Sequence, residues 1–577
     1  MFSNKMATRR ILPLCLILLA ALACTSRAKI IYVDDDANAP GDGSSWQNAF
    51  RFLQDGLAVA KSGDEVRVAQ GMYRPDRSAA KPEGSRDRDA TFHLIDQVTL
   101  KGGFAGVGTP DPNVRDISTY RSILSGDLAG NDVELTDPLA ARDEPTRSDN
   151  CYHVVSYNER REQQTDLDTE MDGFVITGGH ALLFKEGSIV SMTTPDRNRG
   201  GGVFICGDRV ASVKAAVRDC EFVDNYCEAS GGALYCYIAS DLSVTRCTFV
   251  GNGSHIRGGG MDVSSRETVL SSCRFRGNSA GQNGGGVRTT MHAVLTDCVF
   301  TENHARCGGG LLIDGGSASI SDCGFVHNSA TWGGAAAVYA DTEFSDCNFV
   351  GNVAEVYGGA ISHSDFDTLK LNQCILSGNM AQESGGAIRK GYGQLSLENC
   401  TVSGNKAPQG RLLFEATPLK LVNFPRGWVH VTNCIISNGG DEIWNNGGLI
   451  TIQYTDIPSG PIAVHDPNTM IIWGQGNIDG YPCFADPGHW DPNGTPDNPR
   501  DDSWIDGDYH PKSQAGRWDP NSQSWVTDDV TSPCVDAGDP NSPVGDEPLP
   551  NGGRINMGAY GGTPEASKSP FGEGALD

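Results

Sequence analysis

The chain has 577 residues, and 72 aspartates and glutamates against 45 lysines and arginines give it a formal net charge of −27. An acidic chain of this kind lacks the basic face that phosphate recognition needs, which argues against nucleic-acid binding. Hydrophobic residues make up 38% and charged residues 20%, which is typical of neither disordered nor membrane-embedded proteins. Its 72 glycines follow no three-residue period, which excludes collagen, and the length favours a repeat array.

The N-terminus has the pattern of a signal peptide, predicted over 1–28. Two arginines precede an apolar run at 11–23, and small residues place cleavage after Ala23 or Ala28. Cys24 follows the first of these sites and is an alternative lipid-anchor position. No second apolar run of about 20 residues follows, so we expect a secreted or cell-surface protein without a membrane span after signal cleavage.

Residues 29–199 are predicted to form an N-terminal cap and the first irregular coils. Ser44 or Ser45 would cap a helix that begins near Trp46. The apolar face of this helix continues at Phe50, Leu53, Leu57 and Ala60. An amphipathic helix at this point would cover the open end of a repeat array, which otherwise exposes its core and its unpaired strand edges.

The strongest pattern is a repeat of 24 to 27 residues that is marked by cysteine. The ladder cysteines are Cys220, Cys247, Cys273, Cys298, Cys323, Cys347, Cys374 and Cys400. An apolar residue, most often phenylalanine, lies two positions after each cysteine, and an asparagine lies five positions after it. The ladder asparagines are Asn225, Asn252, Asn278, Asn303, Asn328, Asn352, Asn379 and Asn405. A glycine pair begins five or six residues after each of the first seven asparagines.

This repeat predicts an all-β fold, a right-handed parallel β-helix whose regular coils occupy 200–440. Cysteine and the apolar residue two positions later share one face of a strand, and the glycine pair supplies backbone that turns with positive φ. The segments are too short and too rich in glycine and β-branched residues to form helices. A leucine-rich horseshoe has a similar period, but it requires a dense leucine frame that this sequence lacks.

Beyond about residue 440 the repeat fades. Residues 441–562 are rich in aspartate, proline, asparagine and glycine with interspersed tryptophans, which predicts an irregular C-terminal cap. Residues 563–577 are expected to be a loose tail. The chain is therefore divided into a signal peptide, an N-terminal cap, a solenoid, a C-terminal cap and a tail.

The repeat C-x-F-x-x-N…G-G-A closely resembles the repeats of bacterial polymorphic outer-membrane proteins. The wider chain resembles large secreted right-handed parallel β-helix proteins. The motifs of this wider resemblance lie at 31–37, 63–73, 123–132, 172–179, 476–479, 532–539 and 556–562. The resemblance covers nearly the whole chain after the signal peptide. It implies the solenoid fold and a secreted or cell-surface setting, but no single activity.

Three aspartates are the candidate metal ligands: Asp297, Asp322 and Asp346 each directly precede a ladder cysteine. On adjacent coils they would lie close enough to share Ca²⁺, the ion that carboxylates prefer. The same position elsewhere holds Asp219, Ser272, Asn399 and Asn433, which favours a turn-capping role instead. The sequence predicts no organic cofactor and identifies no catalytic residue.

Secretion permits disulfides, yet the ladder cysteines are expected to remain reduced as small buried apolar groups. Cys206 and Cys236 both lie four residues after a glycine pair, so they are one candidate disulfide. Cys483 and Cys534 frame the C-terminal cap and are the other. The connectivity is not fixed by these spacings.

The functional prediction is a secreted or cell-surface scaffold that is adhesin-like or glycan-binding, with an extracellular polysaccharide or another cell-surface component as its partner. A long regular surface offers the same side-chain spacing to a repeating polymer. The alternative is a polysaccharide lyase or glycoside hydrolase. An enzyme requires a base, charge neutralisation and an open groove arranged together, and no repeat carries an obvious catalytic insertion.

Overall fold

The structure, a computed structural model, describes residues 28–38, 41–158, 167–182, 197–207, 213–364, 366–415, 427–445, 448–457, 470–495 and 502–570. The predicted signal peptide lies outside these residues except for Ala28. The chain winds as a right-handed parallel β-helix, in which each strand pairs with its equivalent in the next coil to build three parallel sheets. The predicted fold class is therefore confirmed. No helix in the described part of the chain is long and apolar enough to cross a membrane.

The largest sheet, sheet A, consists of two ladders of strands that merge where two long strands run through both. Ladder 1 comprises Phe92–His93, Val155–Asn158, Val203–Cys206, the first halves of Leu234–Thr245 and Met261–Ser271, Val287–Thr289, Leu311–Ile313, Ala336–Val338, Ile361–His363, Ile388–Lys390, Leu413–Glu415 and Ile443–Asn445. Ladder 2 comprises Ile30–Val33, Glu65–Ala69, Thr99–Phe104, Leu167–Asp172, Val213–Arg218, the second halves of the two long strands, His292–Thr296, Ser317–Ser321, Asp341–Ser345, Thr368–Asn372, Gln394–Glu398, Trp428–Thr432, Leu449–Gln453 and Met470–Trp473.

Sheets B and C complete each coil. Sheet B comprises Gly71–Tyr73, Ser122–Ser125, Phe174–Thr177, Glu221–Val223, Thr248–Val250, Arg274–Arg276, Val299–Thr301, Gly324–Val326, Asn348–Val350, Ile375–Ser377, Thr401–Ser403 and Ile435–Ser437. Sheet C comprises His180–Ala181, Tyr226–Cys227, Gly253–Ser254, Ser279–Ala280, His304–Cys307, Ser329–Trp332, Val353–Tyr357 and Met380–Ala381. Parallel strands thus begin well before residue 200 and continue to Trp473, beyond both limits of the regular sequence repeat.

The phenylalanines of the repeat stack inside sheet B. From Phe222 to Phe349, rings of consecutive coils lie nearly parallel, with centroids 4.6–4.9 Å apart. All of them are fully buried, so each contributes roughly 1.5–3 kcal/mol through burial. The ladder cysteines are buried thiols beside this stack and donate to backbone carbonyls, as Cys247 does to Val217. The predicted inward ladder therefore forms the core.

The asparagines form a continuous amide ladder in the turn that follows sheet B. From Asn225 to Asn405, the side-chain Nδ2 of each donates to the Oδ1 of the next at 2.9–3.1 Å. That Oδ1 also accepts the backbone N–H of the preceding asparagine, as Asn303 shows with Asn328. Asn438 extends the ladder, and its amide donates to the buried carboxylate of Glu442. Because each of these side-chain amides is hydrogen-bonded, they can be buried without a desolvation penalty.

The N-terminal cap contains two short helices where the sequence predicts one. Ser45 is the N-cap residue, as expected, but the helix that it caps is a 3₁₀ helix at Trp46–Asn48. The α-helix is a separate element at Leu53–Val59. Between them the backbone of Phe50 bonds to both sides of Val33, because Phe50 N–H donates to Tyr32 and its carbonyl accepts from Asp34. This bridge to the first strand interrupts the helix. Two further 3₁₀ helices lie at Pro138–Arg142 and Pro145–Asp149.

The C-terminal region packs back along the outer face of sheet B. It contains antiparallel pairs between Phe484–Asp486 and Asp508–Pro511, His489–Asp491 and Ser503–Ile505, and Arg517–Asp519 and Ser524–Val526. Trp504 lies over Gly378 and Gly404, where an added Cβ would come within 1.9 and 2.1 Å of the indole. Ile375 and Ile435 point outward here and pack against Tyr509 and Met557. The segment covers the coils from the side.

Neither predicted disulfide is present. The strand register pairs Ile205 with Cys236 and Cys206 with Tyr237, so the two cysteines point to opposite faces of sheet A. The spacing that predicted this pair counts from Gly202, the last of three glycines at 200–202. In the structure the first two of these glycines align with the next glycine pair, which shifts the register by one residue. Cys483 and Cys534 are thiols, and the Cys534 thiol donates to Asp456 at 3.1 Å.

Candidate functional site

The outer face of ladder 1 carries a row of side chains whose residue type differs from coil to coil. In each strand the flanking residues point into the core and the middle residue points outward, as Leu312 does between Leu311 and Ile313. The strand registers align one such residue per coil, and we call this set the outer row. Its members are His93, Ser156, Phe204, Tyr235, Asp262, Arg288, Leu312, Ala337, Ser362, Arg389, Phe414 and Trp444.

A second row lies beside it, one residue before each glycine turn. Bridges between neighbouring coils align its members, Ser230, Arg257, Asn283, Cys307, Trp332, Tyr357, Ser384 and Gln409. The turn itself requires glycine: Gly333 and Gly358 have φ of 66° and 68°. A Cβ on either would lie 2.2–2.3 Å from a carbonyl oxygen three residues later. This sharp bend sets the second row at the edge of the outer row.

Between Leu312 and Ser362 the two rows form an aromatic groove. Its floor consists of Leu312, Ala337 and Ser362, and the last two are small. Trp332 packs against this floor from one side and Tyr339 from the other. The Tyr339 hydroxyl and the Cys307 thiol are hydrogen-bonded at 3.2 Å. Tyr357 extends the tryptophan side by one coil. The floor residues are buried, so the partly exposed rings of Trp332, Tyr339 and Tyr357 form the surface that faces solvent.

Arg389 closes this groove at its far end. Its guanidinium carbon lies 5.7 Å from the ring centroid of Tyr357, and Tyr357 is parallel to Phe414 at 6.5 Å. One Nη donates to Ser364 Oγ at 2.6 Å. The Nε is buried and has no hydrogen-bond partner among the described residues. Burial lowers the pKa of this guanidinium, although the nearby phenols, Tyr339 first, oppose the shift.

Arg288 lies in the outer row, one coil before the aromatic groove, and two carboxylates compensate its charge. Its Nη1 lies 2.9 Å from Asp262, and its Nη2 lies 2.5 Å from Asp314. The Asp262 side chain is only 5% exposed, whereas that of Asp314 is 40% exposed. Burial lowers the pKa of Arg288, but attraction to Asp262 and Asp314 outweighs it and raises the pKa. This ion triplet links three coils.

A second aromatic segment lies on the other side of the triplet. Phe204 and Tyr235 stack at 5.6 Å with an interplanar angle of 17°, and His153 stacks on Phe204 at 4.8 Å. The guanidinium of Arg199 lies 5.3 Å from the Tyr235 ring centroid. Near the first segment, Arg306 lies 4.8 Å over Trp332. Aromatic rings and guanidinium groups therefore recur along the whole outer face of ladder 1.

The predicted metal candidates lie elsewhere, at the corner between ladder 2 and sheet B. Asp297, Asp322 and Asp346 are all exposed and have φ of 53–55°. Aspartate and asparagine tolerate this left-handed region, so the turn-capping interpretation has a structural basis. Partial desolvation, then repulsion from Asp322, raises the pKa of Asp346. The three carboxylates do not form a metal-binding group within the described ranges.

Among the described residues, one acidic group has the spacing for a metal: Asp34, Asp35 and Asp36. The carboxylates of Asp34 and Asp35 are already engaged with backbone N–H groups. Asp34 accepts from Val107 at 2.6 Å, and Asp35 accepts from Met72 at 3.0 Å. Burial raises the pKa of both carboxyls. These contacts tie separate segments of the N-terminal region together, which is a structural role.

Neither the outer row nor the second row is apparent from the repeat pattern of the sequence. Their signal is positional: the second row directly precedes the positive-φ glycine, and the outer row follows that glycine by four positions in most coils. Both positions vary in residue type from coil to coil. A pattern of recurring residue types therefore does not reveal these two positions.

Comparisons with known proteins agree with the fold. A family model described as right handed beta helix region matches residues 168–325, and a model described as disaggregatase related matches residues 496–538. No curated protein matches the chain. Similar solved structures include a rhamnogalacturonan lyase, 14% identical with a TM-score of 0.31, covering 79% of this chain and 91% of that one.

Two other solved structures are similar at the same level. A pectate lyase is 8% identical with a TM-score of 0.32, and the match covers 93% of this chain and 96% of that chain. XylC in complex with xylose is 11% identical with a TM-score of 0.34, covering 79% and 87%.

Proposed function

We propose that the protein binds an extracellular polysaccharide along the outer face of ladder 1. The observation that carries the proposal is the aromatic groove, in which the partly exposed rings of Trp332, Tyr339 and Tyr357 cover the buried outer-row residues. Half-buried aromatic rings give large, rigid contact surfaces with polar edges, and such residues dominate many binding sites. A concave apolar surface with a few placed polar groups is the usual form of a ligand site.

The regular stacking of coils favours a polymer over a small ligand. Equivalent side chains of neighbouring coils lie about 4.8 Å apart, so the groove and the second aromatic segment form one track along the solenoid. A chain of repeating units would contact both segments at once, and linked contacts strengthen binding. A secreted or cell-surface location, inferred from the N-terminal residues, belongs to the same proposal.

Affinity electrophoresis of the mature chain through gels that contain acidic or neutral polysaccharides would test the proposal. We expect retardation by at least one polysaccharide and an about tenfold weaker apparent affinity for Trp332→Ala, which corresponds to about 1.4 kcal/mol. Trp525→Ala is the matched control, because Trp525 lies in the C-terminal hairpin on another part of the surface. Equal retardation of both variants and the wild type would refute the groove as the binding site.

Polysaccharide cleavage is the alternative function, and two carboxylates of the outer face bear on it. Asp314 is a half-exposed carboxylate in the outer face, separated from the buried Asp262 only by Arg288. Both carboxylates are paired with the guanidinium, which leaves neither as an available base. We therefore expect no reducing or unsaturated ends after incubation with acidic and neutral polysaccharides, with or without Ca²⁺. Products that disappear in Asp314→Asn would establish an enzyme.

A further inference from the structure

Arg389 contrasts with two other enclosed arginines, Arg288 and Arg517. Arg288 has carboxylates at 2.5 and 2.9 Å, and Arg517 has them at 3.0 and 3.2 Å. Within the described part of the chain, no carboxylate lies within 4 Å of Arg389. A partly buried cation without a counter-ion is costly, so such a group is usually paired or binds a ligand.

The surroundings of Arg389 stabilise a cation only in part. Tyr357 offers its ring face, which attracts a guanidinium, and Tyr339 and Tyr392 lie close enough to interact electrostatically. Ring faces do not accept the in-plane N–H groups. Ser364 accepts one of them, and the buried Nε–H has no acceptor among the described residues. The Arg389 guanidinium therefore keeps an N–H donor that no described residue engages.

A second positive charge lies directly behind this arginine. Lys390 follows it in the same strand, points inward and is fully buried. The neighbouring His363 records the combined effect: burial first, then the charges of Lys390 and Arg389, lowers its pKa to about 4. Two basic residues therefore occupy consecutive positions at the end of the aromatic groove, and of these Arg389 is the one that points outward.

We infer that Arg389 binds an anionic substituent of the glycan, a carboxylate or a sulfate, so that the aromatic groove selects an acidic polysaccharide. The inference rests on the proposed function and names its ligand class. Guanidinium groups bind carboxylates and sulfur or phosphorus oxyanions through paired N–H···O bonds. The Nη groups of Arg389, which are not among the enclosed unpartnered atoms, supply such a pair, while Tyr357 and Trp332 contact the sugar rings.

Affinity electrophoresis with matched polymers tests this inference. The probes are polygalacturonate, the same polymer with its carboxylates reduced to alcohols, dextran sulfate and dextran. The proteins are the wild-type mature chain, Arg389→Gln, Arg389→Lys and Trp332→Ala, with thermal unfolding recorded for each. Arg276→Gln is the control, because Arg276 is a surface cation on sheet B whose side chain is 69% exposed.

We expect Arg389→Gln to weaken binding of the preferred anionic polymer at least tenfold and to leave binding of its neutral counterpart unchanged. Arg389→Lys should recover only part of the affinity, because lysine keeps the charge and loses the fork. A loss confined to polygalacturonate identifies a carboxylate as the ligand group, and one confined to dextran sulfate identifies a sulfate. Arg276→Gln should behave as wild type.

Three results with Arg389→Gln would overturn the inference. In the first, Arg389→Gln binds every polymer as tightly as wild type does. In the second, it loses affinity for acidic and neutral polymers equally. In the third, Arg276→Gln loses as much affinity as Arg389→Gln, which would indicate nonspecific ionic adsorption. The proposed function fails separately, when the wild type binds none of the four polymers or Trp332→Ala binds as tightly as wild type. Wild-type binding of acidic and neutral polymers with equal affinity would contradict the inference alone.

Discussion

The interior of the coils and the outer face of ladder 1 follow opposite rules. Inside, the same residue type recurs in coil after coil: phenylalanine stacks on phenylalanine, and asparagine bonds to asparagine. Outside, neighbouring positions of the outer row hold Asp262, Arg288, Leu312, Ala337 and Ser362. A core can be built by repeating one solution at every coil, whereas a ligand site needs different groups side by side.

The largest expected effect concerns the interior. Phe300→Ala should lower the free energy of unfolding by about 3–5 kcal/mol, because it opens a cavity between Phe275 and Phe325. Val299→Ala, on the same strand but pointing outward, is the control and should cost less than about 1 kcal/mol. Chemical denaturation monitored by circular dichroism measures both. Equal losses would mean that the phenylalanine stack does not determine stability.

Two arginines of the outer row sharpen the comparison. Arg288→Met should destabilise the protein by about 3–5 kcal/mol, because it leaves the buried carboxylate of Asp262 without a partner. Arg389→Met removes no ion pair with a described residue and should change the free energy of unfolding by less than about 1 kcal/mol. The same denaturation measurement on both variants checks this. Comparable destabilisation would show that the outer row contributes to stability throughout.

The C-terminal region contains a buried carboxyl group whose protonation should affect stability. Glu547 is buried, its carboxylate accepts N–H groups of Asn556 and Gly562, and burial raises its pKa from 4.5 to about 7. The folded state therefore binds this proton more tightly than the unfolded state, and stability falls as the pH rises from about 4.5 to about 7. By linkage, the loss is up to about 3 kcal/mol above pH 7.

Glu547→Gln should remove this loss, because the amide oxygen can accept the same two N–H groups without carrying charge. We expect the variant and the wild type to be equally stable near pH 4 and the variant to be more stable by up to about 3 kcal/mol at pH 8. Thermal unfolding across this range measures the difference. A constant difference between the two proteins at all pH values would contradict the burial of an ionisable carboxylate.

The smallest effect concerns the turn before the ladder cysteine. Asp322 has φ of 55°, so Asp322→Ala should cost about 1 kcal/mol, whereas Asp322→Gly should be nearly neutral. Neither change should alter the response to Ca²⁺. Thermal unfolding with Ca²⁺ and with a chelator checks both points. A Ca²⁺-dependent rise in Tm that Asp322→Ala abolishes would restore the metal interpretation of this position.

The sequence was sufficient to predict the solenoid because its core residues recur at nearly constant spacing. Cysteine, phenylalanine and asparagine gave the strand, the inward face and the turn of each coil. Asn438 was missed because it lies four, not five, residues after Cys434, yet its amide still completes the ladder. The split helix was missed because the backbone pairing of Phe50 with the first strand depends on a contact that helical periodicity does not encode.

The candidate site could not be predicted in the same way. Trp332 and Tyr357 occupy one position of the repeat, but Cys307 and Ser384 occupy it in the coils on either side. Arg389 follows its glycine turn at the same distance as Leu312, so the pattern gives no reason to prefer the arginine. Only the folded coils show that these side chains adjoin one another and that Arg389 has no carboxylate beside it among the described residues.

A crystal structure of the protein soaked with an acidic oligosaccharide tests the central claim most directly. We expect sugar rings in contact with Trp332 and Tyr357 and an anionic group within hydrogen-bond distance of Arg389. An oligosaccharide bound only on the C-terminal region or on sheet B would contradict the assignment of binding to the variable outer face of the solenoid.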